Sequence, residues 1–437
     1  MHNFRRLFLL MSMLALLSLV LGLFRSDISI WQPAAVVLAV GFAIGIGAVE
    51  SLKNYQYTAW IITAVVVGMM YPAAFLKWGP VDLRNKWLIL VVVQMVMFGM
   101  GIQMSLRDFS GLASTGKGIM IGLLCHFSIM PLMGFLLTRI FHFETEIAAG
   151  IILIGSCSSG LASNVMVYIA RANLVLSVAV TAMATLIAPF MTPLLMKLLA
   201  GTLIDIKFFN MMMEIIKIVI VPIGAALIHD YLKRASPKGW RNLKIVAVGC
   251  VIWLAALSFG LWSYLAGLLS EHFLSSVEIL SFFAGALLTG LVYHLCTRKF
   301  SRLDELMPYL SMFGIVYFTT VTTAAGRENL LKVGFLLFLA SVIHNGAGYL
   351  FGYLLSRVFG LDKKSSRTVA FEVGLQNGGM ASGLAGSMGK LGTVGLASAV
   401  FSPWMNISGS ILANYWRKKA LKEEELELSI QHANEPN

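Results

Sequence analysis

Charged residues are scarce in this sequence of 437 residues. Asp, Glu, Lys and Arg together make up 12% of it, whereas soluble globular proteins carry about 25%. So few charges exclude a water-facing surface of ordinary polarity. Hydrophobic residues make up 58% and the mean hydropathy is +0.81. Because each membrane-spanning helix needs about 20 mainly apolar residues, the composition predicts a membrane protein with many spans.

Cysteine is also rare, and its placement excludes several kinds of site. The four cysteines lie inside apolar runs, so neither a disulfide framework nor a zinc-binding spacing is visible. The spans contain no HExxH pattern or nucleophile–base pair, which argues against a membrane-embedded enzyme. The strict alternation of apolar and polar residues that marks a transmembrane β-barrel is missing as well. The spans are therefore predicted to be helical.

The net charge of +12 does not indicate a nucleic-acid partner. Most Lys and Arg residues lie in short loops between apolar runs, where they determine membrane orientation. On alternate loops the larger share falls on the side that holds both termini, which are therefore predicted to be cytoplasmic. Breaks at charges, glycines and prolines predict about fourteen spans, at roughly 7–24, 33–50, 57–76, 87–104, 117–141, 146–170, 174–200, 208–234, 243–268, 274–296, 305–324, 330–357, 367–387 and 391–416.

An internal repeat organises these spans. The segment Gly134–Phe141 (GFLLTRIF) is similar to Gly352–Phe359 (GYLLSRVF), and Gly160–Ser163 (GLAS) is similar to Gly379–Ser382 (GMAS), at nearly the same offset. Each repeat comprises five spans, and because five is odd, the second copy must cross the membrane upside down. Inverted repeats of this kind are typical of secondary transporters. A duplication without a transport role is the alternative.

The repeat predicts an all-α fold with a ten-helix core and four additional helices. The additions come in pairs, so they leave the orientation of the core unchanged. The predicted units are two additional N-terminal helices (1–56), the first repeat (57–200), the first helix of the second repeat (201–240), an inserted helix pair (241–300), the remainder of the second repeat (301–417) and a cytoplasmic tail (418–437).

In each repeat the fourth helix is interrupted by small and polar residues, over 155–164 and 372–383. Backbone groups released from a helix are costly in hydrocarbon, so a broken helix persists where it lines a cavity or is buried in protein. Corresponding interruptions in two halves of a transporter point to the substrate and coupling-ion site. The sequence therefore predicts two broken helices that cross at such a site.

Glu372 is a carboxylate inside an apolar span, where it costs at least about 2.5 kcal/mol and indicates a functional site. The alternative is an acid at the membrane edge, because Arg367 precedes it by five residues. A sodium ion needs several oxygen ligands to replace its water. Side-chain oxygens for such a site are offered by Ser163, Asn164, Ser177, Thr181, Glu372 and Gln376.

Five segments resemble the signatures of the bile acid:sodium symporter family, in the same order along the chain. The resemblance implies a panel domain and a core domain, with two broken helices that cross beside two sodium sites. The segments are Met97–Phe109, Ser158–Ala170, His344–Tyr349, Glu372–Ala381 and Met405–Ala413.

The resemblance also implies a set of ligands, and Asn377 matches the asparagine that faces the organic anion. The residues of the first implied sodium site are Ser163, Asn164, Ser177, Thr181 and Glu372. The groups of the second are the side chains of Glu372 and Gln376 and the backbone carbonyls of Val373 and Leu375.

The sequence departs from the family pattern at several of these positions. His126 stands where a glutamine of the family contributes an oxygen to the second sodium. Since imidazole is a poor sodium ligand that titrates near neutral pH, the second site is predicted to be weakened or linked to protons, unless His126 is a packing residue. Leu161 replaces a threonine and Met405 a frequent histidine, which makes the predicted substrate cavity less polar at two points.

The sequence therefore predicts a sodium-coupled symporter of an organic anion, such as a bile-acid-like compound or a small carboxylate, in the plasma membrane of a bacterium. Apart from the coupling sodium, no cofactor is expected. The alternatives are a proton-coupled or uncoupled transporter, a channel-like protein or a sensor on the same fold. The sequence does not predict the identity of the anion or the oligomeric state.

Overall fold

The computed structural model describes residues 2–106 and 112–433. Within them the protein is all-α apart from a hairpin of two short strands, β1 (Lys77–Trp78) and β2 (Val81–Asp82). Nine helices of the described part are long and apolar enough to cross a membrane. The prediction of an all-α polytopic membrane protein is confirmed.

The helices fall into two groups that are joined near residue 204. The first group is α1 (His2–Phe24), α2 (Ile28–Gly45), α3 (Gln56–Met70), α4 (Lys86–Ile102), α5 (Leu112–Phe141), α6 (Thr145–Ser156), α7 (Ala162–Ile169) and α8 (Leu174–Ala200). The second group is α9 (Phe208–Ile215), α10 (Val221–Leu232), α11 (Pro237–Ala256), α12 (Trp262–Leu268), α13 (Glu271–Lys299), α14 (Leu303–Ala325), α15 (Arg327–Val358), α16 (Lys363–Gly374), α17 (Gly378–Ser387) and α18 (Leu396–Ala433).

Short irregular helices complete the chain. Turns of 3₁₀-helix lie at Ile46–Ala48, Glu50–Tyr55 and Pro72–Phe75, and π-helical turns join α9 to α10 (Ile216–Ile220) and α11 to α12 (Leu257–Leu261). Each predicted span thus coincides with one helix or with an interrupted pair in the described residues.

Two sequence predictions concern residues near the end of a helix or near the edge of the described residues. The predicted tail 418–437 is helical as far as Ala433, because α18 continues well past the predicted end of its span. The sequence between 411 and 433 contains neither glycine nor proline, so nothing in it stops the helix. The end of the signature segment Met97–Phe109, from 107 onward, lies outside the described residues.

The contacts between helices follow the predicted repeat. In the first copy α5 packs against α6 and α8, and in the second copy α15 packs against α16 and α18. Across the copies α4 contacts α10, while its counterpart α14 contacts α3. This exchange is what two copies related by a pseudo-twofold axis produce. The boundaries of the repeats themselves stay a prediction.

The additional helices attach at the periphery of the two copies. The N-terminal pair, α1 and α2, joins the rest through α3, and the inserted helix α13 packs along α10. Gly290 of α13 permits this packing, because a Cβ there would meet the carbonyl oxygen of Ala225. An ion pair also joins α13 to the π-helical turn before α10, with Lys217 Nζ 2.8 Å from Glu278 Oε1.

Gly150→Ala tests the packing of the broken helix α6 against the turn before α18. A Cβ at Gly150 would collide with the backbone carbonyl of Val394, and such overpacking costs about 1–3 kcal/mol. We expect a lower thermal unfolding midpoint in detergent. Gly249→Ala is the matched control, because Gly249 is exposed on α11 with nothing within 4 Å of a Cβ. Equal midpoints for the two variants would contradict the packing described.

Candidate ion and substrate site

The two broken helices meet at their interruptions. The break between α6 and α7 and the break between α16 and α17 run antiparallel, with Ser159 opposite Gln376. Gly160 N donates to Leu375 O at 3.2 Å, and Asn377 N donates to Ser158 O at 2.9 Å. Each break therefore supplies hydrogen-bond partners for the other, as buried backbone outside a helix requires.

The last carbonyl groups of α16 are accounted for by side chains. The ring of His126 contacts Glu372 O at 2.9 Å, Gln376 Nε2 donates to Val373 O at 2.7 Å, and Asn345 Nδ2 donates to Gly374 O at 2.8 Å. These are carbonyls that the end of a helix leaves without a partner. The break is thus held open by specific partners, and neither half of the helix can simply join the other.

The last carbonyl groups of α6 are held in a similar way. Thr192 Oγ1 donates to Ser156 O at 2.7 Å, and the second ring nitrogen of His126, Nε2, lies 2.8 Å from Cys157 O. His126 is fully buried and joins both breaks through α5. Its counterpart in the second repeat, His344 of α15, contacts Met130 O at 2.8 Å.

Side-chain oxygens collect around the carboxylate of Glu372. The oxygen cluster, as we name it, comprises the side-chain oxygens of Ser159, Ser163, Asn164, Ser177, Thr181 and Glu372. Glu372 and the four hydroxyl residues are buried, and Asn164 is half-buried. The sequence-predicted residues of the first sodium site are therefore brought together.

The oxygen cluster has fewer hydrogens than its short contacts need. Ser177 Oγ lies 2.5 Å from Glu372 Oε1 and 2.7 Å from Asn164 Oδ1, yet it carries one hydrogen. Thr181 Oγ1 lies 2.8 Å from Glu372 Oε2 and 3.4 Å from Asn164 Oδ1. Since an amide oxygen and an ionised carboxylate accept only, one hydrogen cannot serve both oxygens. A cation among these atoms would remove the conflict.

The charge of Glu372 also indicates a cation site. No basic side chain pairs with Glu372 anywhere in residues 2–106 and 112–433, although its side chain is fully buried. An unpaired buried carboxylate is costly. Hard monovalent or divalent cations prefer oxygen ligands such as these, and the oxygen cluster fits a sodium ion.

Most of the groups implied for a second sodium already take part in hydrogen bonds or face backbone carbonyls. Val373 O and Leu375 O each accept a hydrogen bond, from Gln376 Nε2 and Gly160 N. Gln376 Oε1 is buried without a hydrogen-bond partner among the described residues. Both ring nitrogens of His126 face backbone carbonyls. A neutral ring donates to one of them, and its lone pair then points at the other carbonyl oxygen. The second set stays a prediction.

A cavity of about 340 Å³ lies beside the crossing. Its wall includes the first residues of α7 and α17, and all three predicted substrate residues, Leu161, Asn377 and Met405, line it. Asn377 Oδ1 caps α17 by accepting from Met380 N at 3.0 Å, while its Nδ2 has no partner in the described part of the chain. Among the residues that the structure describes, none that lines the cavity is charged. An anion there would meet helix N-termini and amide donors.

The cavity reaches one end of the bundle and not the other. Gln103, at the end of α4 beside a basic loop, lines it and is exposed. At the opposite end, Arg327 Nε donates to Met69 O and Asn329 Nδ2 donates to Gly392 O, each at 3.0 Å. The first bond joins α15 to α3 of the other repeat, and the second joins α15 to the turn before α18, so side chains are hydrogen-bonded to the backbone across that end.

Two functional residues were missed from the sequence. Ser159 donates to Glu372 Oε2 at 2.6 Å, but no role was predicted for it from the sequence. Its place in the first break, beside Ser163, was the available signal. Asn345 was quoted within a signature segment without a role, and it holds the carbonyl of Gly374.

Comparison with known proteins identifies relatives along most of the chain. Residues 90–269 match the profile of the Sodium Bile acid symporter family. The uncharacterised sodium-dependent transporter YocS of Bacillus subtilis is 31% identical over 380 residues, which cover 86% of this chain and 95% of YocS.

Two further relatives come from plants and animals. A chloroplast protein of Arabidopsis thaliana, named as a probable sodium/metabolite cotransporter (BASS1), is 30% identical over 84% of this chain and 75% of its own length. The human ileal sodium/bile acid cotransporter is 27% identical over 66% of this chain and 65% of its own.

Ser159→Ala tests the composition of the oxygen cluster. The variant removes one oxygen next to Glu372, and we expect the sodium concentration that half-maximally raises the thermal unfolding midpoint to increase about tenfold, since an interaction with a charged group is worth about 1.5 kcal/mol. Sodium is titrated against choline at constant ionic strength. Ser156→Ala is the matched control, because its buried hydroxyl bonds only its own helix, at Ile152 O. Identical sodium responses of both variants would exclude Ser159 from the site.

Proposed function

Since this chain belongs to the Sodium Bile acid symporter family, we propose that it carries a small organic anion across the plasma membrane of a bacterium, driven by sodium. The family consists of transporters rather than enzymes, and its members are sodium-coupled. The observation that carries the proposal is the oxygen cluster around Glu372, which lies at the crossing of the broken helices and next to the cavity.

The coupling follows from the backbone that the two sites share. Ser159 faces the oxygen cluster, while the next residue, Gly160, lines the cavity. In the other break Glu372 and the cavity-lining Asn377 are five residues apart. Sodium in the oxygen cluster neutralises the carboxylate and holds the crossing in the geometry that presents helix N-termini to the anion. The anion then binds best when sodium is present, and the reverse holds by linkage.

The cavity favours a small substrate with one acidic group. Its volume of about 340 Å³ is near the lower end of the roughly 300–1,000 Å³ of ligand pockets. Within residues 2–106 and 112–433, no basic side chain lines it to receive a second acidic group. Leu161 and Met405 supply apolar surface. We favour a short carboxylate with an apolar body over a bile-acid-like steroid.

Alternating access uses the two ends of the bundle. The cavity is reached from the end with the basic loops, which we assign to the cytoplasm together with both termini. The closed end carries the hydrogen bonds of Arg327 and Asn329. Opening towards the outside requires these bonds to break while others form at the cytoplasmic end. The bound sodium and anion shift this balance by their different affinities for the two states.

We also propose that one sodium ion, rather than two, is coupled to each anion. His126 stands where the family supplies a glutamine oxygen, and both of its ring nitrogens face backbone carbonyls, Glu372 O and Cys157 O. The two implied carbonyl ligands, those of Val373 and Leu375, already accept hydrogen bonds from Gln376 Nε2 and Gly160 N.

Glu372→Gln tests the proposed function. The amide keeps the size of the side chain but removes the charge that binds sodium, so we expect sodium-driven uptake and sodium-dependent thermal stabilisation to be lost. Uptake into proteoliposomes is measured with a panel of labelled three- to six-carbon carboxylates and taurocholate. Glu328→Gln is the control, because that carboxylate is exposed and pairs only with Arg327. Accumulation by Glu372→Gln in a sodium gradient would refute the proposal, and uptake that ignores sodium but stops with an uncoupler would favour proton coupling.

His126→Gln tests the number of coupled ions. Glutamine supplies an amide oxygen where the imidazole has none, so we expect the Hill coefficient for sodium to rise from about one towards two, its limit being the number of sites. The readout is the sodium dependence of thermal stabilisation. His344→Gln is the control at the equivalent position of the other repeat. A wild-type Hill coefficient near two would rule out the single-sodium proposal.

A further inference from the structure

A second polar cavity lies far from the crossing, where the inserted helices meet the second repeat. It has a volume of about 520 Å³, is open to one side, and is lined by the end of α10, the start of α11, the end of α13 and the start of α14. It is therefore a feature of the inserted pair. The transport mechanism proposed above does not use it.

Asp304, the one acidic side chain among the described residues that line this cavity, is already satisfied. Lys233 Nζ donates to Asp304 Oδ2 at 2.8 Å, and Tyr293 OH donates to Oδ1 at 2.8 Å. The ring nitrogen Nε2 of His229 lies 3.3 Å from the same carboxylate. These partners come from α10 and α13, so Asp304 ties three helices together and gives the cavity a defined wall.

The remaining charge in the cavity is positive. Arg298 lines the cavity, and no acidic side chain of the described residues pairs with it. Two cations and one anion, Lys233, Arg298 and Asp304, leave a net charge of +1 with histidine neutral. A cavity with a satisfied acid and an available guanidinium is suited to an anion, and guanidinium groups match the two-oxygen geometry of phosphate.

Aromatic and apolar groups surround the charged part. The ring of Trp240 forms one side of the cavity and packs 5.4 Å from the ring of His294. Tryptophan at such a position is typical of the membrane–water boundary. On the same helices Ile245 and Leu295 are exposed, which provides apolar surface beside a polar cavity. Lys and Arg residues in loops also determine membrane orientation, which explains exposed cations in general. That role alone does not require a preformed cavity.

We propose that this cavity binds a phosphate-bearing anion, and that the anion is the headgroup of an anionic phospholipid. Arg298 and Lys233 contact the phosphate, and the acyl chains lie against the inserted helices. Basic pockets between membrane helices on the cytoplasmic side bind such headgroups. The lipid would fasten the inserted pair to α10 and α14.

The test is native mass spectrometry of the full-length protein titrated with phosphatidylglycerol or phosphatidylcholine of equal chain length. We expect preferential retention of phosphatidylglycerol, weakened about fivefold by Arg298→Gln and largely restored by Arg298→Lys. Lys299→Gln is the matched control, because it removes an adjacent charge that does not line the cavity. Equal binding of both lipids, or equal effects of Arg298→Gln and Lys299→Gln, would overturn the proposal.

A second experiment distinguishes a lipid headgroup from a soluble phosphate compound as the ligand. The protein in zwitterionic detergent is exposed to glycerol 3-phosphate, and its thermal unfolding midpoint is recorded for the wild type and Arg298→Gln. We expect no stabilisation at concentrations at which the lipid is retained. Stabilisation that depends on Arg298, without preferential retention of phosphatidylglycerol, would overturn the assignment to a lipid.

Discussion

A carboxylate that is buried in a membrane protein, with no basic partner in the part of the chain that the structure describes, is the constraint on which the centre of this molecule depends. Glu372 is surrounded by hydroxyl groups from the first break and from α8. These hydroxyl groups donate hydrogen bonds to the carboxylate, but they supply no positive charge. The arrangement therefore makes sense as a site for a cation that comes and goes. A permanent ion pair there would remove the reason for any ion to bind.

The crossing of the broken helices connects this constraint to the substrate cavity. Each break offers its peptide groups to the other, and His126 and Asn345 hold carbonyls at the ends of the first halves. Residues adjacent in sequence then face different sites, as Ser159 and Gly160 do. In the proposed mechanism, ion binding acts on the same short stretch of backbone that faces the cavity. Coupling by this route needs no long pathway through the protein.

The inserted helices make polar contacts with the second repeat at two places, one within the spans and one nearer their end. Lys217 and Glu278 pair within the spans, where an unpaired charge would be costly. Asp304 joins α10, α13 and α14 nearer the end with the basic loops. These contacts make the inserted pair a fixed part of the second repeat. The cavity beside Asp304 then places the proposed lipid headgroup against this part of the protein.

The sequence by itself determined the class of protein, the approximate spans, the breaks and most members of the oxygen cluster. Those features depend on composition and on local pattern, and apolar runs interrupted by small polar residues are visible in one dimension. Only the tertiary structure decided that Ser159 reaches Glu372, that both nitrogens of His126 face carbonyls, and that α18 is helical to Ala433. Ser159 and Glu372 are 213 positions apart. Which oxygens share a site is set by helix packing across two repeats, and a linear sequence does not contain those distances.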